Sequence, residues 1–156
     1  MRVLATAVVL GFVFCASIPP AGAGSGNSRL DSPVGLWQPL DSSGKPLGLI
    51  RIFEVKGLYY GRIEPSSPSD DRNARCTRCT GERHGQPIIG LVLMRHLRAQ
   101  AGEYVDGDIL DPDTGRIYDC TLRLTDGGRQ LIMRGFVGIS LLGRSQTWQR
   151  VDGHPP

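Results

Sequence analysis

The sequence predicts an all-β domain: a single antiparallel barrel of about eight strands, with a two-sheet β-sandwich as the alternative. Three observations carry that prediction. Turn signals recur at short intervals, among them "DSSGKP", "KG", "DPDTG", "TDGG" and "GISLLG". Between them lie strand-length segments rich in β-branched, aromatic and aliphatic residues. No stretch sustains a capped helical period, and a short domain of hairpin-linked strands hides its edges best by closing the sheet on itself.

The chain begins with Arg2 and an uncharged apolar run from Val3 to Ile18, broken by Pro19 and Pro20 and followed by Ala21-Gly22-Ala23. That is the layout of a secretory signal peptide over residues 1–23; the prolines cut the run short of the roughly 20 apolar residues a membrane anchor needs. Cys15 lies inside the apolar run, behind large residues, which argues against a lipoprotein signal. The protein is therefore expected to be exported, periplasmic or extracellular, with no transmembrane segment once residues 1–23 are removed. Residues 24–31, "GSGNSRLD", read as a flexible linker. Residues 32–151 read as the barrel domain, and residues 152–156 as a loose tail.

Within the domain, "GLWQPL" is the first strand. "LIRIFEV" and "LYYGRIE" flank Lys56-Gly57, a two-residue hairpin turn that needs positive φ at Gly57. "PIIGLVLMRHL" is the fourth strand: it is apolar enough to be ambiguous, but Gly90 and the β-branched Ile88, Ile89 and Val92 favour a strand. "YVDGDIL" and "RIYDCTLRL" flank "DPDTG", where Pro112 presets a turn, Gly115 takes its left-handed position, and Asp111 accepts N–H groups of its own turn. "QLIMRGFV" and "RSQTWQRV" complete the set. Closure would bring the first and last strands together and lay Arg150 over Trp37, with Trp148 on the same side of its strand as Arg150.

The Gly-x-Trp opening and late arginine resemble those of lipocalin-type barrels. The ordered series "GLW", "LYYGRI", Cys-x-x-Cys, "GQPIIGLVLM", "DP-x-TG-x-x-Y" and "RGFVGISLLGRSQTWQRV" resembles, from Pro33 to Val151, the family catalogued as domain of unknown function 2147. Trp37, Tyr60, Gly61, Cys76, Cys79, Gly90, Asp111, Pro112, Gly115, Tyr118, Arg134, Gly135, Gly143 and Trp148 match its motif positions, whereas Cys120 departs from the pattern. The resemblance implies a small exported bacterial protein with a lipocalin-like barrel; it supplies no catalytic residue.

The chemistry-bearing stretch is "ARCTRCTGERHGQ". In an oxidising compartment Cys76 and Cys79 are close enough to pair as a disulfide, stapling the long loop from Pro65 to Pro87. Two other readings stay open. Arg75 and Arg78 could activate a redox thiol, although the βαβ setting of such sites is missing. Cys76, Cys79, His84 and Cys120 could hold zinc, although the second close ligand pair is missing. Cys120 shares an alternating apolar face with Tyr118, Leu122 and Leu124 and reads as a buried inert thiol.

Charge is mixed along the chain, with a formal net charge of +3. Arg72, Arg75, Arg78 and Arg83 share their loop with Asp70, Asp71 and Glu82 and no interleaved aromatics, so nucleic-acid binding is not indicated. Asp108 and Asp111 flank a turn and read as solvated. No hydrolase, metalloprotease or phosphate-loop motif is present, and the sequence nominates no catalytic residue, metal or cofactor. The expected function is non-enzymatic binding of a small apolar or amphipathic molecule, with Tyr60, Tyr118, Arg134 and Phe136 as inward side chains near one mouth; for Arg134 the alternative is a structural ion pair or an outward-facing strand position. The alternative is a filled barrel that docks a partner through "FVGISLL" or the cysteine loop. For the apolar "RGFVGISLLGR" segment itself, a plug tucked under the barrel is favoured over an exposed gate.

Overall fold

A computed structural model describes residues 31–151. The expected signal peptide, all but the last residue of the linker, and the tail lie outside the described residues. Eight strands run β1 (Gly35–Pro39), β2 (Leu49–Val55), β3 (Leu58–Glu64), β4 (Val92–Gln100), β5 (Glu103–Leu110), β6 (Ile117–Thr125), β7 (Gln130–Phe136) and β8 (Arg144–Arg150). Each pairs antiparallel with its sequence neighbour, and β1 pairs with β8 to close the barrel. No helix among the described residues is long and apolar enough to cross a membrane.

Antiparallel order sorts the connections to two ends. The chain entry before β1, the exit after β8 and the short turns β2–β3, β4–β5 and β6–β7 share one end. The longer β1–β2, β3–β4, β5–β6 and β7–β8 connections share the other. The β2–β3 turn is the tight one its Lys56-Gly57 pair dictates, with φ of 53° and 80°.

The first end is shut. Trp37 is fully buried, and its indole donates to the Pro33 carbonyl at 2.7 Å. Trp37 faces Arg150 across the β1–β8 closure, and the Arg150 guanidinium stacks 4.3 Å from the indole centroid. Arg150 also donates to the carbonyls of Ser32, Val34 and Gly128, tying the chain entry to the β6–β7 turn. Gly35 is bare for a reason: a Cβ there would lie 2.7 Å from an Arg150 nitrogen.

Alternation supplies the core. Ile50 and Ile52 of β2, Cys120 and Leu122 of β6 and Leu131 of β7 keep the two-residue period. Bulges at His96 (φ 62°) and Asp106 (φ 60°) shift the phase, so that Met94 and Leu97 of β4, and Tyr104 and Ile109 of β5, both face inward. All join Trp37 and Trp148 in one cluster. Gly61 backs directly onto Met94, since a Cβ would meet its Cε at 2.9 Å. That contact sets the phase of β3: Tyr59 packs against the core and stacks edge-on with Tyr104, while Tyr60 falls on the other face.

The fourth strand starts later than the sequence suggests. Ile88 to Gly90 form a turn, Gly90 and Leu91 hydrogen-bond Ile63 of β3, and the strand itself begins at Val92. Ile88 is apolar because it packs against the core from the loop, which is the same requirement a strand position would impose.

Candidate functional site

The open end holds a cavity of about 1700 Å³ that runs into the barrel. Ile50, Ile63, Leu93, Ile109, Met133 and Trp148 give it an apolar wall, and the four long connections frame its mouth. This exceeds the roughly 300–1,000 Å³ of ordinary ligand pockets because the mouth is wide. Gly135 is part of the wall. It faces Cys120 across the β6–β7 ladder, and a Cβ there would meet Ile109 and Tyr118 only at an ordinary 3.9 Å. A missing side chain at this position is room left in the cavity.

The four residues expected to form the pocket are not brought together. Tyr118 and Phe136 line the cavity. Tyr60 does not: it stacks on Phe53 at 5.7 Å and meets the His96 ring edge-on at 5.6 Å. Arg134 does not either. It faces Thr121 on the ladder face opposite Gly135 and Met133, and reaches over the β7–β8 connection. Its Nε donates to the Ser140 carbonyl at 2.6 Å, its Nη2 to the Leu141 carbonyl at 3.1 Å and its Nη1 to the Ser145 hydroxyl at 3.0 Å. Expecting both as inward groups picked the wrong phase of a two-residue period on β3 and on β7.

Arg134 thereby moulds the β7–β8 connection, and this overturns the plug expectation. Val137, Ile139, Leu141 and Leu142 are 73%, 64%, 84% and 80% exposed, standing off the barrel instead of filling it.

Across the mouth, the β3–β4 and β5–β6 connections lock together. Cys76 and Cys79 form a disulfide with Cα atoms 5.3 Å apart, and both are buried in the core cluster. The Cys76 sulfur rests 3.6 Å from the Pro112 carbonyl oxygen, and Arg78 donates to the Asp113 carbonyl at 2.8 Å. Asp111 organises that turn, accepting from the Asp113 N–H at 2.9 Å and the Thr114 hydroxyl at 2.8 Å. Gly115 has φ of 72° and lies against the Arg78 carbonyl.

Sequence reasoning missed Arg83. Only 5% exposed, it sends Nη2 to an Asp108 carboxylate oxygen at 2.6 Å, while its Nη1 is buried without a partner. Asp108, expected to be solvated, is therefore an ion-pair acceptor, with His96 Nδ1 3.6 Å from its other oxygen. Nothing in the loop's composition separates Arg83 from the arginines around it.

Cys120 is buried on β6 and unpaired. Burial, reinforced by the charges of Asp108 and Asp119, pushes its thiol up to about 12. His84 Nδ1 lies 2.9 Å from the Cys79 carbonyl oxygen. No cluster of three or more His, Cys, Asp or Glu side chains among the described residues is placed to hold a metal ion.

A closed eight-stranded antiparallel barrel, shut at one end by a tryptophan–arginine pair and hollow at the other, is a lipocalin-like architecture. The chain belongs to the bacterial family described as "uncharacterized protein conserved in bacteria", domain of unknown function 2147, whose model matches residues 35–150. Among solved structures it is similar to protein HP1028 of the human pathogen Helicobacter pylori, described as belonging to the lipocalin family. That likeness has a TM-score of 0.67 at 16% identity and covers 78% of this chain and 84% of the other; it speaks to the fold. No curated protein sequence matches.

Proposed function

We propose that this protein is a non-enzymatic carrier that holds a small apolar or amphipathic molecule in the barrel, in the cell envelope. The observation that carries this reading is the unfilled interior: a wide-mouthed cavity of about 1700 Å³, polar around its rim, runs inward onto the apolar side chains of Ile50, Leu93, Ile109, Met133 and Trp148. A barrel of eight strands has just enough width to fill itself with side chains or to hold one small ligand. Here Gly135 stands where a side chain would have helped to fill it. Tyr118 offers aromatic surface along the path inward, and Phe136, on the face of β7 that Arg134 shares, borders the mouth. The signal-peptide-like layout of residues 1–23 supports the envelope part of this reading.

The test is a titration with an apolar, environment-sensitive dye. The native protein should take up the dye with saturable fluorescence gain. A Gly135→Phe variant, whose ring would project between Ile109 and Tyr118, should lose at least about tenfold in affinity, as expected from excluding one aromatic-sized volume of apolar contact. Equal affinity in both proteins places the dye elsewhere and removes the carrier reading.

A further inference from the structure

The β7–β8 connection combines three properties that the barrel does not need. Its apolar side chains Val137, Ile139, Leu141 and Leu142 point into solvent, although a soluble surface gains nothing from showing them together. They are held in that posture, because Arg134 fixes the Ser140 and Leu141 carbonyls. The chain around them is also stripped of acid: from Gly127 to Val151 there is no Asp or Glu, but Arg129, Arg134, Arg144 and Arg150 are present. Arg144 is exposed at the base of the connection, and exposed Arg116 sits beside Ile117, itself 52% exposed, on the adjoining strand. Neither arginine is paired with a carboxylate among the described residues. Several acids of the same end are turned onto their own loops. Asp41 accepts the Ser43 and Lys45 N–H groups, Asp70 those of Ser66 and Ser67, and Asp111 that of Asp113.

We propose that residues 137–142 are a membrane-docking element that inserts its apolar tip into an anionic lipid bilayer, with Arg116 and Arg144 meeting the headgroups. Charge complementarity selects the occupant. An apolar knuckle flanked by Arg116 and Arg144, with no carboxylate in its own connection or on β7 and β8, matches a surface that is negative outside and apolar beneath. Asp119, opposite Phe136, is the nearest acid on the ladder. Val137 and Leu142 also line the cavity, so docking turns the mouth toward the bilayer. The proposal stands whether or not the cavity carries a ligand.

The test is co-sedimentation of the protein, purified in the form the cell makes, with vesicles of phosphatidylglycerol and phosphatidylcholine, against phosphatidylcholine alone. Binding to the anionic vesicles is expected, weakened by salt. Leu141→Asp/Leu142→Asp should bind about tenfold more weakly or worse, because two leucines no longer leave water. Arg144→Gln should bind about fivefold more weakly. All three positions are exposed, so unchanged circular dichroism and thermal midpoint will show that the fold is intact. Equal binding by the leucine variant overturns the proposal, since another segment then makes the contact. So does absence of binding. So does a native oligomer that the leucine variant converts to monomer, which would assign the patch to a second copy of the chain.

Discussion

The carbonyl of Arg78 lies over Gly115 so closely that no Cβ fits between them. A residue two positions into the cysteine-bracketed turn thus dictates the identity of a residue in the β5–β6 turn, and two motifs far apart in sequence become one structure at the cavity mouth. Gly115→Ala meets both a backbone clash and a φ of 72° that alanine tolerates poorly. It should cost on the order of 2 kcal/mol or more. Urea unfolding measures the loss, and amide exchange should quicken in residues 74–88 as well as in the turn itself.

Arg150 does at the shut end what the disulfide does at the open one. It stacks on Trp37 and donates to three main-chain carbonyls. Lysine keeps the charge but has no planar fork to serve a ring face and three acceptors. Arg150→Lys should therefore lose on the order of 2 kcal/mol. Thermal unfolding reads this out, with fluorescence of Trp37 shifting red as water reaches the indole.

The Arg83–Asp108 pair should behave as a buried pair with one wet side. Arg83→Met removes a guanidinium whose Nη1 has no acceptor, but leaves Asp108 half-buried without its cation. A loss of about 1–3 kcal/mol is expected, with part of it recovered in Arg83→Met/Asp108→Asn. A double-mutant cycle by urea denaturation would show it, and additive single effects would contradict the pairing.

Cys120 gives a pH signature with a definite sign. Its folded value, about 12, lies above the ordinary thiol value of 9.0. The fold therefore favours the neutral thiol, and this contribution is fully present below pH 9.0 and is lost as pH rises from there toward about 12. The stability of Cys120→Ala should fall less steeply across that window. Alkylation of the native thiol at neutral pH should proceed only at the rate of unfolding.

Much of the fold could be read from residue order because strands and turns announce themselves locally. Lys56-Gly57 and the Asp111–Gly115 turn specify tight reversals, and Trp37 with Arg150 marks where the sheet closes. Phase was harder. In "LYYGRIE" either tyrosine can head the inward face, and only the seating of Gly61 on Met94 decides for Tyr59. In "QLIMRGF" the true inner face runs Leu131, Met133, Gly135, and a glycine gives a hydrophobic pattern nothing to count. The role of Arg134 depends on carbonyls of a connection with no regular period, and Arg83 on a partner 25 residues away. Such contacts are written in three dimensions only.

Whether the barrel is a vessel can be read most directly from native mass spectrometry of the protein purified gently from the cells that make it. Excess mass of a small organic molecule, lost on unfolding and absent from Gly135→Phe, is expected. A native mass equal to the polypeptide alone, together with no uptake of apolar probes by the folded protein, would contradict it.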